Sequence, residues 1–177
     1  MRRRELLAGA LGIGVVGAGA AVAMGKFGDD GERVDPVEAK VIDTSGDGSE
    51  TMTVPREGEV TFLEAFATTC RICAETMPEL AVAHEKFGDA VQFVSMTIEP
   101  VGLTVEPEEV VDWFDEHGGA WTVVHDEEHA IIEQLDVTAT PYSFVLDQRN
   151  RVTWRHSGGT TSEVLHREIE KVLDEET

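Results

Sequence analysis

Two cysteines, three positions apart, constrain this chain more than any other feature. Cys70 and Cys73 are its only cysteines, and they stand between an apolar, strand-like run at 60–66 and a helix-like run that contains Pro78. Two thiols with this spacing at the first turn of a helix can close a small disulfide ring and open it again, and the helix N-terminus favours a thiolate. With no other cysteine in the chain, the pair cannot join a larger disulfide framework or a four-thiolate metal site. The sequence therefore predicts redox chemistry at this pair.

Charge is the second constraint. The formal net charge is −21 at pH 7, from 14 Lys+Arg and 35 Asp+Glu. Residues 1–28 carry four basic residues and one acidic residue, so the rest of the chain carries −24. A surface this acidic repels nucleic acid and anionic lipid, and neither is expected as a partner. We expect a halophilic protein, kept hydrated in multimolar salt by its carboxylates, with an ordinary acidic mesophilic protein as the alternative.

The N-terminus has the pattern of an export signal. Arg3 and Arg4 precede residues 6–24, which are uncharged and rich in Gly and Ala, and this order resembles twin-arginine signals. Residues 21–23, Ala-Val-Ala, fit a signal-peptide cleavage site. The apolar run is also just long enough to span a bilayer. Residues 1–24 are thus predicted to be a signal peptide or a membrane anchor.

The rest of the chain divides into a tether and one domain. Residues 25–40 are polar and acidic, with Gly and Pro, and are predicted to be a flexible linker. Residues 41–177 form the predicted domain, which begins with a hairpin over 41–54. Its further strands are predicted at 59–67, 91–98, 121–124, 142–146 and 151–156, and its helices at 71–87, 106–117, 126–135 and from 161 onward. Asp126 is the predicted N-cap of the third helix, and Thr160 with Glu163 a capping box for the last. This alternation predicts an α/β fold, a mixed central sheet with helices on both faces.

The order of these elements resembles the thioredoxin fold, and in particular the exported thioredoxins of the TlpA/ResA type. The residues that carry the resemblance are the cysteine pair, Pro78 five residues after it, and Thr140-Pro141 ahead of a hairpin. The helix and strand over 106–124 are similar to the insertion of that family, and the N-terminal hairpin is similar to its first two strands. The resemblance covers 41–175 and implies a thioredoxin fold with both additions.

The resemblance also implies a role for each matching residue. Cys70 matches the attacking cysteine and Cys73 the resolving cysteine. Pro141 matches the cis-proline that faces the disulfide, and Thr140 supplies backbone groups that pair with a substrate strand. Glu64, six residues before the first cysteine, stands where thioredoxins carry a buried acid that manages the proton of the second cysteine.

Glu64 can be assessed from its neighbours as well. It lies between Leu63 and Ala65 in a predicted core strand. Burial disfavours a carboxylate, so we expect a raised pKa for Glu64 and a carboxyl group that can relay a proton. The alternative is an acid that faces solvent at the edge of the sheet.

Three positions near the cysteines depart from the family pattern. Thr69 replaces the usual Trp, Arg71-Ile72 replaces Gly-Pro or Pro-Pro, and Thr76 stands where an acid is common. We expect these changes to alter the redox potential and the partner, and Thr69 and Arg71 are the predicted redox-tuning residues. At 1 M salt the Debye length is roughly 3 Å, so an exposed Arg71 is screened and the helix N-terminus is expected to dominate at Cys70.

Two motifs suggest metals, and each has a simpler explanation. His125 and His129 fit an H-x-x-E-H pattern, but one is expected in a strand and the other in a helix, which separates them. The acidic run at 43–48 resembles half a calcium loop, yet Val54 stands where the loop needs Glu. A hairpin turn is favoured there, and no metal site is predicted.

The expected function is that of an extracytoplasmic thiol–disulfide oxidoreductase. The resemblance implies a monomer that reduces an exported partner, such as apocytochrome c or a copper-site protein, is recharged by a membrane-embedded electron donor, and needs no cofactor beyond the Cys70–Cys73 disulfide. The alternative is a Cu(I) carrier, with both thiolates as ligands and a histidine such as His84 as a third. A peroxidase is disfavoured, because Ala67 stands where the Thr of its signature belongs.

Overall fold

Among the residues that the structure describes, seven strands form a single sheet and four helices pack against it. This structure is a computed structural model that describes residues 31–42 and 50–175. The strands are β1 (Val37–Val41), β2 (Thr51–Val54), β3 (Thr61–Phe66), β4 (Gln92–Thr97), β5 (Thr122–His125), β6 (Tyr142–Leu146) and β7 (Val152–Ser157). The helices are α1 (Arg71–Phe87), α2 (Pro107–Glu116), α3 (Ala130–Gln134) and α4 (Ser162–Glu175).

The sheet is mixed, as the sequence predicts. Its strand order is β2-β1-β5-β4-β3-β6-β7. β3 runs parallel to β4 and antiparallel to β6, and β4 runs parallel to β5. The β1–β2 and β6–β7 hairpins form the antiparallel margins. The β1–β2 pair is the predicted N-terminal hairpin, and α2 with β5 is the predicted insertion between β4 and the later hairpin.

Two hydrophobic cores cover the two sides of the sheet. Side chains alternate along a strand, so Phe62 and Phe66 pack with α1, α2 and α4, while Leu63 and Ala65 pack on the side of α3. We call these sides the α1 face and the α3 face. Every residue of β3 and β4 is buried, as expected for central strands covered on both sides.

Helix α1 carries the two cysteines into the fold. Its N-cap is Cys70, whose backbone is extended (φ −86°, ψ 105°), and Pro78 lies inside the helix on an exposed position. Residues at helical spacing point into the α1 face: Cys73, Met77, Leu80 and Phe87. Fully burying a large apolar side chain contributes roughly 1.5–3 kcal/mol, so this stripe anchors the helix and fixes the height of its first turn over the sheet.

Part of the segment predicted to be a linker belongs to the sheet. The linker predicted over 25–40 includes β1 from Val37 onward, and Val34 is already buried and donates its N–H to the carbonyl oxygen of Asn150. The acidic composition of this segment led to the prediction of a linker. It is compatible with a strand because Glu38 faces solvent while its neighbour Ala39 is buried. The predicted signal or anchor at 1–24, the first part of the linker and the hairpin turn predicted within 43–48 lie outside the described residues. No helix in the described part of the chain is long and apolar enough to cross a membrane.

Helix α3 is shorter than predicted. The sequence suggests a helix over 126–135 capped by Asp126, but α3 spans Ala130–Gln134, and His129 precedes it in the left-handed region (φ 57°). The carboxylate of Asp126 still accepts hydrogen bonds from the N–H groups of 130, 131 and 132, at 3.1, 2.7 and 3.1 Å. It therefore stabilises the first turn from across a loop rather than from the N-cap position.

Helix α4 begins one residue later than the predicted capping box requires. Thr161, not Thr160, accepts a hydrogen bond from the N–H of Val164, at 3.4 Å. The carboxylate of Glu79 on α1 accepts from both the N–H and the hydroxyl of Ser162, each at 2.7 Å. These two bonds hold the pKa of Glu79 below its ordinary value. A side chain of another helix thus supplies the cap that we expected from Glu163.

Candidate active site

The two cysteines form a disulfide at the first turn of α1. Their Cα atoms are 5.2 Å apart and their sulfurs are bonded. The Sγ of Cys70 also accepts a hydrogen bond from the N–H of Cys73, at 3.1 Å. Cys73 is fully buried, whereas Cys70 is partly exposed. Only the sulfur at the N-cap is therefore open to attack from solvent, and the backbone donor beside it would stabilise a thiolate there.

The carboxylate of Glu99 anchors the loop that precedes the cysteines. The carboxylate of Glu99 accepts hydrogen bonds from the N–H of Thr68 at 2.7 Å and from its hydroxyl at 2.8 Å. The N–H of Cys70 is held by the carbonyl oxygen of Ala67, at 3.0 Å. Sequence analysis did not identify Glu99. A signal was present, because Glu99 lies two residues beyond the end of β4 and the carboxyl ends of parallel strands meet at one edge of a sheet.

The two predicted redox-tuning residues lie on the surface. Thr69 is exposed, and the side chain of Arg71 is 83% exposed. The guanidinium of Arg71 pairs with Glu75 one helical turn further on, at 2.9 Å. Exposed pairs of this kind interact weakly and are screened by salt. Their tuning role stays a prediction, and the geometry places the backbone donor of α1 closer to the sulfur chemistry than Arg71.

The Thr140–Pro141 peptide bond is cis, as the resemblance implied. The carbonyl oxygen of Pro141 accepts a hydrogen bond from the N–H of Gly158, at 2.8 Å. The next residue, Gly159, lies against the first turns of α1, because a Cβ placed there would come within 3.1 Å of the Thr76 hydroxyl oxygen. The chain around Pro141 is thereby tied to the end of α1 that carries the cysteines. Substrate binding by Thr140 and Pro141 stays a prediction.

Glu64 is buried, with no exposed surface, in the middle of β3. It alternates in phase with Phe62 and Phe66, so its side chain points to the α1 face, where Cys73 also packs. Burial raises the pKa of Glu64 to about 8, and a hydrogen bond from the Ser95 hydroxyl (3.3 Å) opposes part of this rise. The expected burial and raised pKa are confirmed. At neutral pH the protonated form of this carboxyl group therefore predominates, and a minor ionised fraction remains.

The histidine suggested as a third copper ligand, His84, lies far along α1 from the disulfide. His84 is eleven residues after Cys73 in the same helix, a rise of about 16 Å at 1.5 Å per residue. Its ring packs on Phe93 and Trp121. The third copper ligand suggested by the sequence is therefore misplaced, because the length of α1 separates it from both sulfurs. The described residues contain no cluster of three His, Cys, Asp or Glu side chains that could hold a metal.

Two open clefts lie at a distance from the cysteines along the sequence elements that line them. The first has a volume of about 430 Å³ and is formed where α1 ends and β4 begins, with His84, Gly88 and Trp121 in its wall. A second, of about 440 Å³, adjoins it along β1 and β2. Neither cleft includes Cys70, which is partly exposed at the N-cap of α1.

Comparison with known proteins agrees with this geometry. The family model described as Redoxin matches residues 30–173. The chain belongs to the Redoxin family. It is 21% identical over 115 residues to the thiol-disulfide oxidoreductase YkuV of Bacillus subtilis, an alignment covering 65% of this chain and 78% of that protein. It is 24% identical over 112 residues to the thiol:disulfide interchange protein DsbE of Xylella fastidiosa, covering 63% of this chain and 53% of that protein.

A solved structure confirms the fold. The crystal structure of a secreted thiol-disulfide isomerase from Corynebacterium glutamicum superimposes with a TM-score of 0.69 at 15% identity, covering 82% of this chain and 88% of that one. The α/β thioredoxin fold predicted from the sequence is thus correct, and so is the TlpA/ResA-like family. This Redoxin family member is a thioredoxin-like thiol–disulfide oxidoreductase.

Proposed function

We propose that this oxidoreductase works outside the cytoplasmic membrane and reduces disulfides of an exported protein through Cys70 and Cys73. The observation that carries the proposal is the unequal placement of the two sulfurs. Cys70 is accessible at a helix N-cap and receives a backbone hydrogen bond, while Cys73 is buried behind it on the α1 face. This difference supports Cys70 as the sulfur that attacks the partner and Cys73 as the sulfur that resolves the mixed disulfide.

The first half of the exchange uses Cys70. In the reduced protein its thiolate attacks one sulfur of the partner disulfide, because only the thiolate is nucleophilic. A bond forms between Cys70 and that sulfur, the partner S–S bond breaks, and the second partner sulfur leaves as a thiolate that takes a proton from water. The N–H of Cys73 and the α1 N-terminus stabilise the attacking thiolate.

The second half needs a proton acceptor for Cys73. Its thiol is buried and cannot lose a proton to water directly. We propose that Glu64 in its ionised form takes this proton, since both side chains face the α1 face and the pKa of Glu64, about 8, lies near that of a thiol. The Cys73 thiolate then attacks Cys70, the protein disulfide forms, and the partner leaves with its second thiol. Two electrons have passed from the protein to the partner.

The cell compartment and the partners are part of the proposal. Support for export comes from the twin-arginine-like pattern at 1–24, interpreted as a signal peptide or an anchor, and from the structural similarity to a secreted thiol-disulfide isomerase of Corynebacterium glutamicum. Thiols outside the cell are not kept reduced by a soluble pool, so a reductase there requires a membrane-embedded electron donor. The partner is an exported protein that must keep thiols reduced, of the cytochrome c or copper-site maturation type, and the oxidoreductase acts as a monomer.

A trapping experiment tests the exchange. In Cys73→Ser the mixed disulfide cannot be resolved, so a partner should stay bound through Cys70 and be released by reductant. Cys70→Ser is the matched control and should trap nothing. Trapping by neither variant, together with no insulin reduction by the unmodified protein, would end the proposal. If retention of a partner by Cys73→Ser were abolished by a Cu(I) chelator and not by a thiol reductant, the copper-carrier alternative would be favoured instead.

A further inference from the structure

Glu64 is the end of a chain of hydrogen bonds that crosses two strands. We propose that Ser95 and Trp121 are positioning residues, which hold the Glu64 carboxyl group and set the pH at which it exchanges its proton. The inference rests on the proposed function only in its use of Glu64 as the proton acceptor. Neither Ser95 nor Trp121 carries a sequence signal that pointed to the site.

Strand register brings the first two members together. Ser95 of β4 is the parallel neighbour of Glu64 of β3, on the same α1 face. The Ser95 hydroxyl lies 3.3 Å from Oε2 of Glu64, and the indole Nε1 of Trp121 lies 2.9 Å from the same hydroxyl oxygen. Both Ser95 and Glu64 are fully buried, so water does not compete for these groups.

The direction of each hydrogen bond follows from the chemistry of the side chains. An indole N–H can only donate, so Trp121 occupies an acceptor position on the Ser95 oxygen. A serine hydroxyl has one proton, and here that proton is left for the carboxylate. Trp121 thus orients the hydroxyl, and the hydroxyl donates to Glu64. A donor aimed at the oxygen stabilises the charged form of the carboxyl group and opposes the effect of burial.

Trp121 is itself held in place by aromatic rings. Its ring centroid lies 5.2 Å from that of Phe93, 5.0 Å from that of Phe114 and 5.2 Å from that of His84. The planes of these three rings meet the indole plane at angles from 41° to 77°. The indole is therefore fixed before the proton moves, as a positioning residue must be.

A second buried serine near Glu64 provides a control for Ser95. Ser143 of β6 pairs directly with Glu64 in the strand register, and its side chain lies on the same face of the sheet. Its hydroxyl oxygen and Oε1 of Glu64 are both buried and have no hydrogen-bond partner among the described residues. From α1 the titratable group is Cys73, which does not titrate in the disulfide form. His84 contacts the hydrogen-bonded series Trp121–Ser95–Glu64 at Trp121. No charged side chain contributes to the raised pKa of Glu64.

The test follows the titration of Glu64 directly. In the disulfide form, carbon-13 NMR of labelled glutamate side chains should show one carboxyl resonance with a midpoint near that of a buried acid, and Glu64→Gln should remove it. Ser95→Ala should raise this midpoint by about one pH unit, the size expected for losing a hydrogen bond to a charged group. Ser143→Ala removes a hydroxyl at the same depth on the other side and should move the midpoint by less than about 0.2 unit.

A double variant tests whether Trp121 acts through Ser95. Trp121→Phe should raise the midpoint less than Ser95→Ala does, and the two changes together should raise it no further than Ser95→Ala alone. An unmoved midpoint in Ser95→Ala, or equal shifts in Ser95→Ala and Ser143→Ala, would overturn the inference. Insulin reduction and trapping decide the proposed function separately, because the titration is measured without any substrate.

Discussion

Replacing Glu64 with glutamine should stabilise the protein, and increasingly so as the pH rises. Burial raises the pKa of Glu64 from 4.5 to about 8, so the folded state retains a proton that the unfolded state releases. Where the native state binds more protons, stability falls with rising pH. For this one group the fall begins near pH 4.5 and is complete above about pH 8, and over the whole interval it amounts to roughly 5 kcal/mol.

The variant Glu64→Gln has the same shape but no proton to release, so it avoids this loss. The difference in unfolding free energy between variant and unmodified protein should grow by roughly 4 kcal/mol between about pH 5 and pH 9. Urea unfolding of the disulfide forms at several pH values, in about 1 M KCl to screen the acidic surface, measures it. All other groups titrate in both proteins and cancel in the difference. Any constant offset between amide and acid also cancels.

A matched control separates burial from charge. Glu85→Gln removes an exposed carboxylate from α1, where water stabilises the charge in both states. Its difference from the unmodified protein should stay flat with pH. If the Glu64→Gln difference were equally flat, the carboxyl group would not be held protonated by its surroundings, and its use as a proton acceptor near neutral pH would have no physical basis.

Three further variants probe the surroundings of the disulfide. Glu79→Gln should lower the free energy of unfolding by about 1 kcal/mol at neutral pH, because it weakens the cap of α4. The pKa of Glu79 is lowered in the folded state, so this difference should vanish in acid, where the glutamate is protonated in the unmodified protein too. Urea unfolding at several pH values measures it. Arg71→Gln should move the pH midpoint of Cys70 alkylation by less than about 0.3 unit in molar salt, since an exposed cation is screened, and a larger shift would show that the helix terminus is not dominant. Glu99→Ala leaves the Thr68 N–H and hydroxyl without an acceptor and should cost about 1–3 kcal/mol, with slower insulin reduction; unchanged stability would show that the anchor is weak.

Much of the fold follows from local patterns. The strand before the cysteines, the helix after them and the final hairpin are each continuous runs with a clear period, and the structure contains them within a few residues of the expected bounds. Glu64 could be predicted too, because its burial follows from its place between Leu63 and Ala65 in such a run.

Contacts set by register and by distant caps could not be predicted. Ser95 donates to Glu64 only because β4 aligns with β3 in one register, across 31 positions of sequence. The start of α3 was predicted four residues too early because Asp126 caps its first turn through a loop, and the cap of α4 comes from Glu79 on another helix. These contacts depend on how the chain turns or how strands and helices pack, and the hydrophobic period of the sequence does not record that.

The anchor at Glu99 has a consequence for how a partner could be sensed. Glu99 opens the segment that leads to α2, and this segment carries Leu103, whose side chain is 85% exposed. The same carboxylate accepts a hydrogen bond from the N–H of Thr68, two residues before Cys70. A partner that binds at Leu103 and displaces this loop would therefore also shift the position of Cys70. We expect Glu99 to couple partner binding to the reactivity of Cys70. Exchanging the segment between Glu99 and α2 with that of a relative should then change the rate of thiol–disulfide exchange as well as the choice of partner.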